Sequence, residues 1–251
     1  MQLDYIKQGD CLELMNEIPD SSIDMILCDL PYGTTKNKWD SIIPLDKLWE
    51  HYKRIITPNG CIALFSQTPF DKVLGNSNLK MLKYELIWEK PMATGMLNCN
   101  HAPLKCHENI LIFSNGAASP TKDKSKGMIY NPQFTDGKPY ISNSGSKSTN
   151  YGKYHPITTV NDGKRYPRDV QIFKHDKQKL HPTQKPVALL EYLIKTYTNK
   201  GAVLDNCMGS GSTIVACINT NRHYIGYELN ERYFKIAEDR INKALIENNK
   251  P

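Results

Sequence analysis

The sequence predicts an α/β fold built on a largely parallel sheet. Apolar runs of strand length alternate with segments of helical periodicity, a pattern typical of a parallel sheet covered by helices on both faces. Two of the runs end in turns rich in Asp, Pro or Gly, Asp29-Leu30-Pro31-Tyr32 and the segment 205–212. Ligands of such sheets bind at the carboxyl ends of the strands, so both turns are expected to face one cleft.

The individual elements follow from the hydrophobic pattern and its punctuation. Pro31 removes a backbone donor and disfavours helix at Leu30, so it ends the first strong strand, whereas Pro186 suits the first turn of a helix. The predicted strands are 23–28, 61–66, 84–88, 109–113, 201–204 and 224–228. The predicted helices are about 44–56, 186–199 and 213–218, with a final helix that begins near Glu231.

The first turn carries groups suited to a heterocyclic amine. The Asp29 carboxylate and the constrained Leu30 carbonyl can accept hydrogen bonds from an exocyclic amino group, and the Tyr32 ring can stack on its heterocycle. Acceptors fixed around that nitrogen would stabilise the positive charge that develops when it acts as a nucleophile. An ordinary turn is the alternative, because Asp, Pro and Gly33 all favour turns.

The second turn reads as strand, Gly-rich loop and helix. Gly209 and Gly211 allow a ligand to approach the backbone, but Ile214 stands where a dinucleotide fingerprint requires Gly, and no Gly-Lys pair is followed by Ser or Thr. Glu228 lies 23 residues after Asp205, close to the spacing of a ribose-binding carboxylate. An adenosine-containing cofactor without a pyrophosphate fits this pattern. A Glu that caps the helix beginning near residue 230 is the alternative.

These motifs resemble those of the β group of S-adenosylmethionine-dependent DNA amino-methyltransferases, in which the catalytic motif precedes the cofactor motif. That group typically carries an Asp-Pro-Pro-Tyr box and an Asp-Pro-Phe-x-Gly-Ser-Gly-Thr box. The chain departs from the commonest residues at Leu30, Asn206, Cys207 and Ser212. Further matches are Gly9-Asp10-Cys11-Leu12-Glu13, His181-Pro182-Thr183-Gln184-Lys185-Pro186, and Trp88-Glu89-Lys90 with 107–111. The resemblance implies a Rossmann-like methyltransferase sheet with circularly permuted motif order.

The resemblance also implies which residues form the site and which cofactor they bind. The catalytic set is Asp29, Leu30, Pro31 and Tyr32. The residues expected to bind S-adenosyl-L-methionine are Asp10, Cys11, Asp29, Thr183, Gln184, Lys185, Asp205, Cys207, Gly209, Gly211, Ser212, Thr213, Glu228, Leu229 and Asn230. In the family the Asp10 position lies beside the cofactor adenine, and the segment 181–186 leads into a helix near its methionine end.

A basic segment lies between the two boxes. Residues 115–181 hold 12 Lys and Arg against 5 Asp, although the whole chain carries a net charge of only +6. The segment is rich in Gly, Ser, Asn, Pro and Tyr, which indicates a loop-rich insertion. A solvated basic loop is the alternative, but the related enzymes carry their target-recognition region here. The expected organisation is a catalytic half over 1–114, a recognition insertion over 115–180 and a cofactor half over 181–251.

DNA is therefore the expected partner. The candidate contacts are Thr34, Lys36 and Lys38 in a loop that would cover the target base, and Lys164, Arg165 and Arg168 in the insertion. The aromatic residues that could touch bases are Tyr130, Phe134, Tyr140, Tyr151, Tyr154 and Tyr166. A homodimer is typical of the resembled group, and a cognate restriction endonuclease is left open.

The expected activity is site-specific methylation of the adenine N6 amino group in DNA. The box begins with Asp, whereas the resembled N4-cytosine enzymes more often begin with Ser, so N4-cytosine transfer remains the alternative. Methylation at carbon 5 is disfavoured because no Pro-Cys pair is present. The motifs are also compatible with an inactive DNA-binding module and with a methyltransferase of RNA or of a small molecule.

Two further expectations concern metal ions and location. Cys99, His101, Cys106 and His107 could bind zinc by residue type, but their spacing is unlike that of a zinc finger, so no metal is expected. The chain lacks an apolar run of transmembrane length and a signal peptide, and its seven Cys form no disulfide-like framework. We therefore expect a cytoplasmic protein that does not associate with membranes.

Overall fold

The computed structural model describes residues 1–33, 41–144, 157–177, 180–181 and 183–248. The chain forms two compact units, a larger one of Met1–Asn131 with Asp169–Pro251 and a smaller one of Pro132–Arg168. The strands are β1 (Tyr5–Gln8), β2 (Ile23–Asp29), β3 (Ile56–Ser66), β4 (Leu82–Thr94), β5 (Lys105–Phe113), β6 (Thr135–Asp136), β7 (Tyr140–Ser144), β8 (Ile157–Asn161), β9 (Lys164–Arg165), β10 (Val170–Ile172), β11 (Ala202–Asp205) and β12 (His223–Glu228). The helices are α1 (Cys11–Leu14), α2 (Leu45–Ile55), α3 (Phe70–Ser77), α4 (Val187–Tyr197), α5 (Ser212–Asn219) and α6 (Glu231–Asn248).

The larger unit is built on one mixed sheet. Within its described residues the sheet has eight strands in the order β1-β12-β11-β2-β3-β5-β4-β10. In this order, each of the first five strands, β1, β12, β11, β2 and β3, is parallel to its neighbours among them. Strand β5 is antiparallel to both β3 and β4. The chain order reverses around β11 and β2, so the loops after these two strands open the crevice in which doubly wound sheets bind ligands.

Successive side chains along each strand point to opposite faces of the sheet, and both faces are apolar. In β2, Met25 and Leu27 join the core beneath α4, α5 and α6, while Ile26 and Cys28 join the core beneath α1, α2 and α3. All four side chains are at most 1% exposed. This two-sided burial explains why β2 reads as a nearly continuous apolar run rather than as an alternating one.

The structure confirms the α/β class and the strands and helices predicted from the hydrophobic pattern. The sequence reasoning missed β1, α3 and β10, which are short, and the antiparallel direction of β5. In β1 the polar residues Lys7 and Gln8 interrupt the apolar pattern at a sheet edge. The direction of β5 depends on the connection from β4, which residue periodicity does not encode.

The smaller unit lies inside the predicted insertion of 115–180 and contains two short antiparallel pairs, β6 with β9 and β7 with β8. The Arg165 guanidinium lies 4.7 Å from the Tyr140 ring centroid and donates to Asn161 Oδ1 and to the Lys138 carbonyl. Arg165 therefore holds this unit together internally. Over the described part of the chain, no helix has the length and apolarity needed to cross a membrane.

Candidate active site

The carboxyl ends of three neighbouring strands meet at one pocket. Asp29, Asp205 and Glu228 are the last residues of β2, β11 and β12, and β11 lies between the other two strands. All three carboxylates line a cavity of about 460 Å³, within the range of about 300–1,000 Å³ that small-molecule sites occupy. The expectation that both turns face one cleft is met by this arrangement.

The Gly-rich loop shapes the cofactor end of the pocket. Gly209 and Gly211 adopt φ angles of 52° and 75°, which favour glycine. A Cβ on Gly209 would meet only ring atoms of His181, at 3.8 Å, whereas a Cβ on Gly211 would lie 3.1 Å from Ala237 of α6. Gly209 thus leaves the loop accessible on its pocket side, and Gly211 allows α5 to begin close to α6.

Glu228 joins the Gly-rich loop to the end of β12. Its Oε2 accepts from the Gly209 amide at 2.9 Å, and its Oε1 accepts from the Asn230 amide at 2.8 Å. Burial raises the pKa of the Glu228 carboxyl, and these backbone donors partly oppose that effect. Asn230 itself caps α6, because its Oδ1 accepts from the amides of Arg232 and Tyr233.

Arg240 braces the same loop from α6. One guanidinium nitrogen donates to the Ser210 carbonyl at 3.2 Å and to Ser212 Oγ at 2.7 Å. The other lies 3.4 Å from Asp176 Oδ2, which also accepts from Gln184 Nε2 at 2.9 Å. Sequence reasoning missed Arg240, since a single Arg on an amphipathic helix gives no signal of the loop it supports.

Asp205 carries an unusual carboxyl group at the centre of the pocket. The residue is 3% exposed, and its Oδ1 accepts from the Cys207 amide at 3.1 Å. Burial raises the pKa of Asp205 to about 7, against hydrogen bonds from Thr213, Cys207 and Cys28 that lower it. The folded protein therefore binds a proton at Asp205 that the unfolded chain releases at much lower pH.

Asp205→Asn is expected to stabilise the protein at pH 8 but not at pH 4. Because the folded-state pKa lies above the unfolded one, the contribution of wild-type Asp205 is fully present below about pH 4 and is lost as the pH rises through about 7. A shift from 3.8 to about 7 corresponds to about 4 kcal/mol, and Asn mimics the protonated form at every pH. Urea unfolding without cofactor at several pH values measures the difference.

The exposed Asp239→Asn on α6 is the control for this experiment. Its difference from wild type is expected to stay within about 0.5 kcal/mol, as is usual for surface substitutions. A gain in Asp205→Asn that is equal at pH 4 and pH 8 would contradict the assignment of a buried, protonated carboxyl.

The catalytic end of the pocket centres on Asp29. Its Oδ1 accepts from the Tyr32 hydroxyl at 2.6 Å, and its Oδ2 accepts from Lys185 Nζ. The Tyr32 ring stacks on Phe70 at a centroid distance of 5.4 Å. Burial raises the pKa of Asp29, and the Lys185 ammonium opposes that effect.

A row of alternating charges continues from Asp29 across the sheet. Lys185 Nζ lies 3.3 Å from Glu108 Oε2 on β5, and Lys90 Nζ on β4 donates to Glu108 Oε1 at 3.0 Å. Burial raises the pKa of Glu108, but the two ammonium groups more than offset it and leave the pKa below its ordinary value. The row contains two carboxylates and two ammonium groups, so its formal charges cancel.

The positions that depart from the family boxes have local explanations. Leu30 is 3% exposed and packs into the core, so it offers the site only its carbonyl. The Asn206 side chain accepts from the buried Tyr52 hydroxyl of α2 at 2.5 Å, which ties the loop to the helix layer. Ser212 Oγ accepts from Arg240, and Cys207 lies partly buried in the pocket wall.

The segment before α4 joins the two ends of the pocket. The Gln184 side chain accepts from the Leu180 amide at 2.9 Å and from Ser210 Oγ at 3.4 Å, next to the Gly-rich loop. The following residue, Lys185, reaches the opposite end of the pocket at Asp29. Thr183 contacts the His181 ring, and burial lowers the pKa of His181 to about 4, which leaves the imidazole neutral.

The structure brings most of the predicted site residues together. The pocket wall contains the four predicted catalytic residues and, from the cofactor set, Asp10, Cys11, Thr183, Gln184, Lys185, Asp205, Cys207, Gly209, Ser212, Thr213, Glu228 and Leu229. Gly211 and Asn230 stand behind the wall, at the beginnings of α5 and α6. Of the predicted DNA contacts, Lys164, Arg165 and Arg168 belong to the smaller unit, whereas Thr34, Lys36 and Lys38 lie outside the described residues.

Several pocket residues were not predicted. Those from the sheet are Phe65, Trp88, Lys90, Thr94 and Glu108, and those from loops and α6 include Ser41, Ile42, Ile43, Pro44, Gln67, His175 and Tyr233. A charged Glu108 at the start of the apolar run 109–113 was the available signal. Within the described residues no cluster of three or more His, Cys, Asp or Glu side chains is placed to hold a metal ion, and Cys99, His101, Cys106 and His107 are all exposed.

The geometry corresponds to a Rossmann-like S-adenosylmethionine-dependent methyltransferase. A family model described as "DNA methylase", covering N6 and N4 methyltransferases, matches residues 23–239. The chain therefore belongs to this family of DNA amino-methyltransferases, which use S-adenosylmethionine as the methyl donor.

Individual relatives agree with the family assignment. The chain is 27% identical over 252 residues to the DNA adenine methyltransferase YhdJ of Escherichia coli (strain K12), covering 95% of this chain and 83% of that protein. It is 26% identical over 273 residues to the Type II methyltransferase M2.MboI of Moraxella bovis, covering 95% and 87%.

Solved structures share the fold. The M1.HpyAVI complex with SAM aligns with a TM-score of 0.63 at 24% identity, covering 94% of this chain and 98% of that one. The cytosine-N4-specific PvuII DNA methyltransferase aligns with a TM-score of 0.66 at 14% identity, covering 99% and 93%. The fold is thus shared with a solved DNA methyltransferase that is named as specific for the N4 position of cytosine.

Proposed function

We propose that this protein transfers a methyl group from S-adenosylmethionine to the N6 amino group of adenine at a specific site in DNA. The observation that carries the proposal is the Asp29 carboxylate at the end of β2, beside the Gly-rich loop of β11 in one pocket. A relative named as an adenine methyltransferase supports the choice of base. The identity of the first residue of the box, Asp rather than Ser, favours adenine as well.

The cofactor end of the pocket fits an adenosine-containing methyl donor. Gly209 has no Cβ to fill the space beside the loop, and the Glu228 carboxylate has lone pairs beyond the two that accept from backbone amides. We assign Glu228 to the ribose hydroxyls, Asp10 and Leu229 to the adenine end, and Thr183, Gln184 and Asp205 to the amino-acid end. When bound there, S-adenosylmethionine supplies an electrophilic methyl group.

The target base would be held at the other end of the pocket. A base within a duplex must first be extruded, which costs a few kcal/mol. The Asp29 carboxylate and the Leu30 carbonyl then accept from the amino group, and Tyr32 stacks on the ring. The amino nitrogen would bond to the methyl carbon while the carbon–sulfur bond of the bound donor breaks, so that its electron pair stays on the sulfur of the leaving S-adenosylhomocysteine; the nitrogen would develop positive charge and then release one proton. The Asp29 carboxylate stabilises that charge and lies where it can accept the proton.

The smaller unit supports DNA as the substrate. Phe134, Tyr140 and Tyr166 are 46%, 44% and 71% exposed, and Lys138 and Lys164 are exposed in the same unit. Exposed aromatic rings between basic side chains suit a surface that contacts bases and phosphates. Arg168 remains a proposed contact, and Arg165 contributes mainly by fixing the unit.

Incubation with labelled S-adenosylmethionine and DNA, RNA or neither tests this proposal. Label is expected in DNA alone, and nucleoside analysis by mass spectrometry is expected to find N6-methyladenine. Methylated cytosine without methylated adenine would refute the choice of base, and label in RNA alone would refute the substrate. Base-modification sequencing of DNA from an expressing strain would then identify the recognition sequence.

Three finer points complete the proposal. We propose cytoplasmic action, a homodimer as in the resembled β group, and a site-specific role that a cognate endonuclease could accompany. Sedimentation of the purified protein with and without DNA tests the oligomeric state.

A further inference from the structure

We propose that Lys185 is a positioning residue that keeps the Asp29 carboxylate ionised and fixed at the target end of the pocket, and that Glu108 and Lys90 hold Lys185 in place. This inference rests on the proposed function and deepens it. The family resemblance had implied a cofactor contact for Lys185. In the structure its ammonium contacts the Asp29 carboxylate.

The Lys185 side chain is fully engaged at this end. It is only 7% exposed, and its Nζ contacts Asp29 Oδ2 and lies 3.3 Å from Glu108 Oε2. The ammonium also lies 5.1 Å from the centroid of the buried Phe65 ring. Two carboxylates and an aromatic ring therefore surround the Lys185 ammonium. These contacts restrict a side chain that is otherwise long and flexible to few conformations.

Asp29 needs such a partner in order to remain an acceptor. Its carboxylate is partly buried in the pocket wall, and this burial favours the protonated form and raises its pKa. A protonated carboxyl would lose the negative charge that attracts the amino group. The ammonium of Lys185 favours the charged form, while Oδ1 is oriented by the Tyr32 hydroxyl. Each carboxylate oxygen retains a second lone pair for the target amino group.

The other charged groups around Asp29 determine the sign of each expected effect. Glu108 on β5 is a like charge that opposes the ionisation of Asp29, whereas an ionised Asp29 raises the pKa of Asp205 on β11. Lys90 on β4 pairs with Glu108, while the buried thiol of Cys28 and the hydroxyl of Tyr32 lie on the same strand and turn as Asp29. Lys185 is therefore the cation that directly contacts Asp29 among these neighbours.

Removal of the Lys185 ammonium and removal of the Glu108 carboxylate should shift the pH dependence of the methyl-transfer rate in opposite directions. Single-turnover rates of methyl transfer to DNA would be measured from pH 5.5 to 9.5 at saturating cofactor. In Lys185→Met the acid limb is expected to move to higher pH, with a rate about ten-fold lower at pH 7 that recovers at alkaline pH. In Glu108→Gln, whose amide oxygen can still accept from Lys185, the limb is expected to move to lower pH. Lys185→Arg is expected to keep the wild-type limb.

Cofactor affinity measured by calorimetry distinguishes a role for Lys185 in cofactor binding. We expect Lys185→Met to bind S-adenosylmethionine within about two-fold of wild type. Weakened binding with an unshifted rate profile would assign Lys185 to the cofactor instead, and a uniform loss of rate at every pH in both variants would indicate a merely structural role. Either result overturns the inference.

The matched control is Lys195→Met on α4, where the Lys side chain is 47% exposed and pairs only loosely with Glu191 at 3.7 Å. Its rate, profile and cofactor affinity should equal those of wild type. If wild-type protein binds the cofactor but methylates no DNA, the proposed function fails before the variants are compared. If wild type is active and the Lys185→Met profile does not shift, only the inference fails.

Discussion

Asp29→Ala is expected to reduce methyl transfer to DNA by at least about 10²–10³-fold. The magnitude is that of removing one preorganised group that stabilises charge in a transition state. The carboxylate lies at the target end of the pocket and organises both neighbours, because Tyr32 and Lys185 each donate to it. The effect should fall on the single-turnover rate, since Asp29 stands apart from the Glu228 end that we assign to the ribose.

The measurement must separate loss of chemistry from loss of folding. Asp29→Ala leaves Lys185 paired with Glu108 alone, so some destabilisation is expected, and thermal unfolding should be recorded alongside activity. Cofactor affinity within about three-fold of wild type would show that the cofactor end of the pocket persists. The control is Asp46→Ala, an exposed Asp in the first turn of α2. An Asp29→Ala protein that methylates DNA at the wild-type rate would refute the catalytic role of Asp29.

The sequence allowed the fold to be predicted where burial dictates residue type. β2 and β11 are buried on both faces and accordingly carry apolar runs, and each run ends at a carboxylate in the pocket wall. The antiparallel direction of β5 and the existence of the edge strand β10 could not be predicted in this way. Their positions depend on long connections and on pairing with distant strands, which local periodicity does not specify.

The site was predictable as a set of motifs but not as a set of contacts. The motif that contains Gln184 and Lys185 was recognised as one unit, yet its two neighbouring side chains reach opposite ends of the pocket. Glu108 and Arg240 were missed because each contacts a residue that is remote in sequence, Lys185 and Ser212 respectively. Ion pairs between distant elements depend on the three-dimensional packing, so they emerged only from the structure.

Glu228→Ala is expected to weaken S-adenosylmethionine binding by about 10- to 100-fold. Hydrogen bonds to a charged group contribute about 1.5–3 kcal/mol, and the partly buried Glu228 carboxylate is the acceptor that we assign to the ribose hydroxyls. The substitution also frees the Gly209 amide that Oε2 now holds, which loosens the loop at the same end of the pocket. At saturating cofactor the rate of methyl transfer should stay within about three-fold of wild type.

The Glu228 and Asp29 variants therefore make opposite demands on the same pocket. Glu228→Ala should raise the dissociation constant of the cofactor with little change in the rate of methyl transfer. Asp29→Ala should lower that rate with little change in the dissociation constant. Glu228→Gln separates direct contact from loop support, because its amide oxygen can keep the Gly209 bond but cannot supply a negative charge. Its affinity should lie between those of wild type and Glu228→Ala. The exposed Glu247→Ala on α6 is the control, and calorimetry gives the constants. Unchanged affinity in Glu228→Ala would remove Glu228 from the cofactor site, and the Gly-rich loop would then have to bind the donor without a carboxylate from β12.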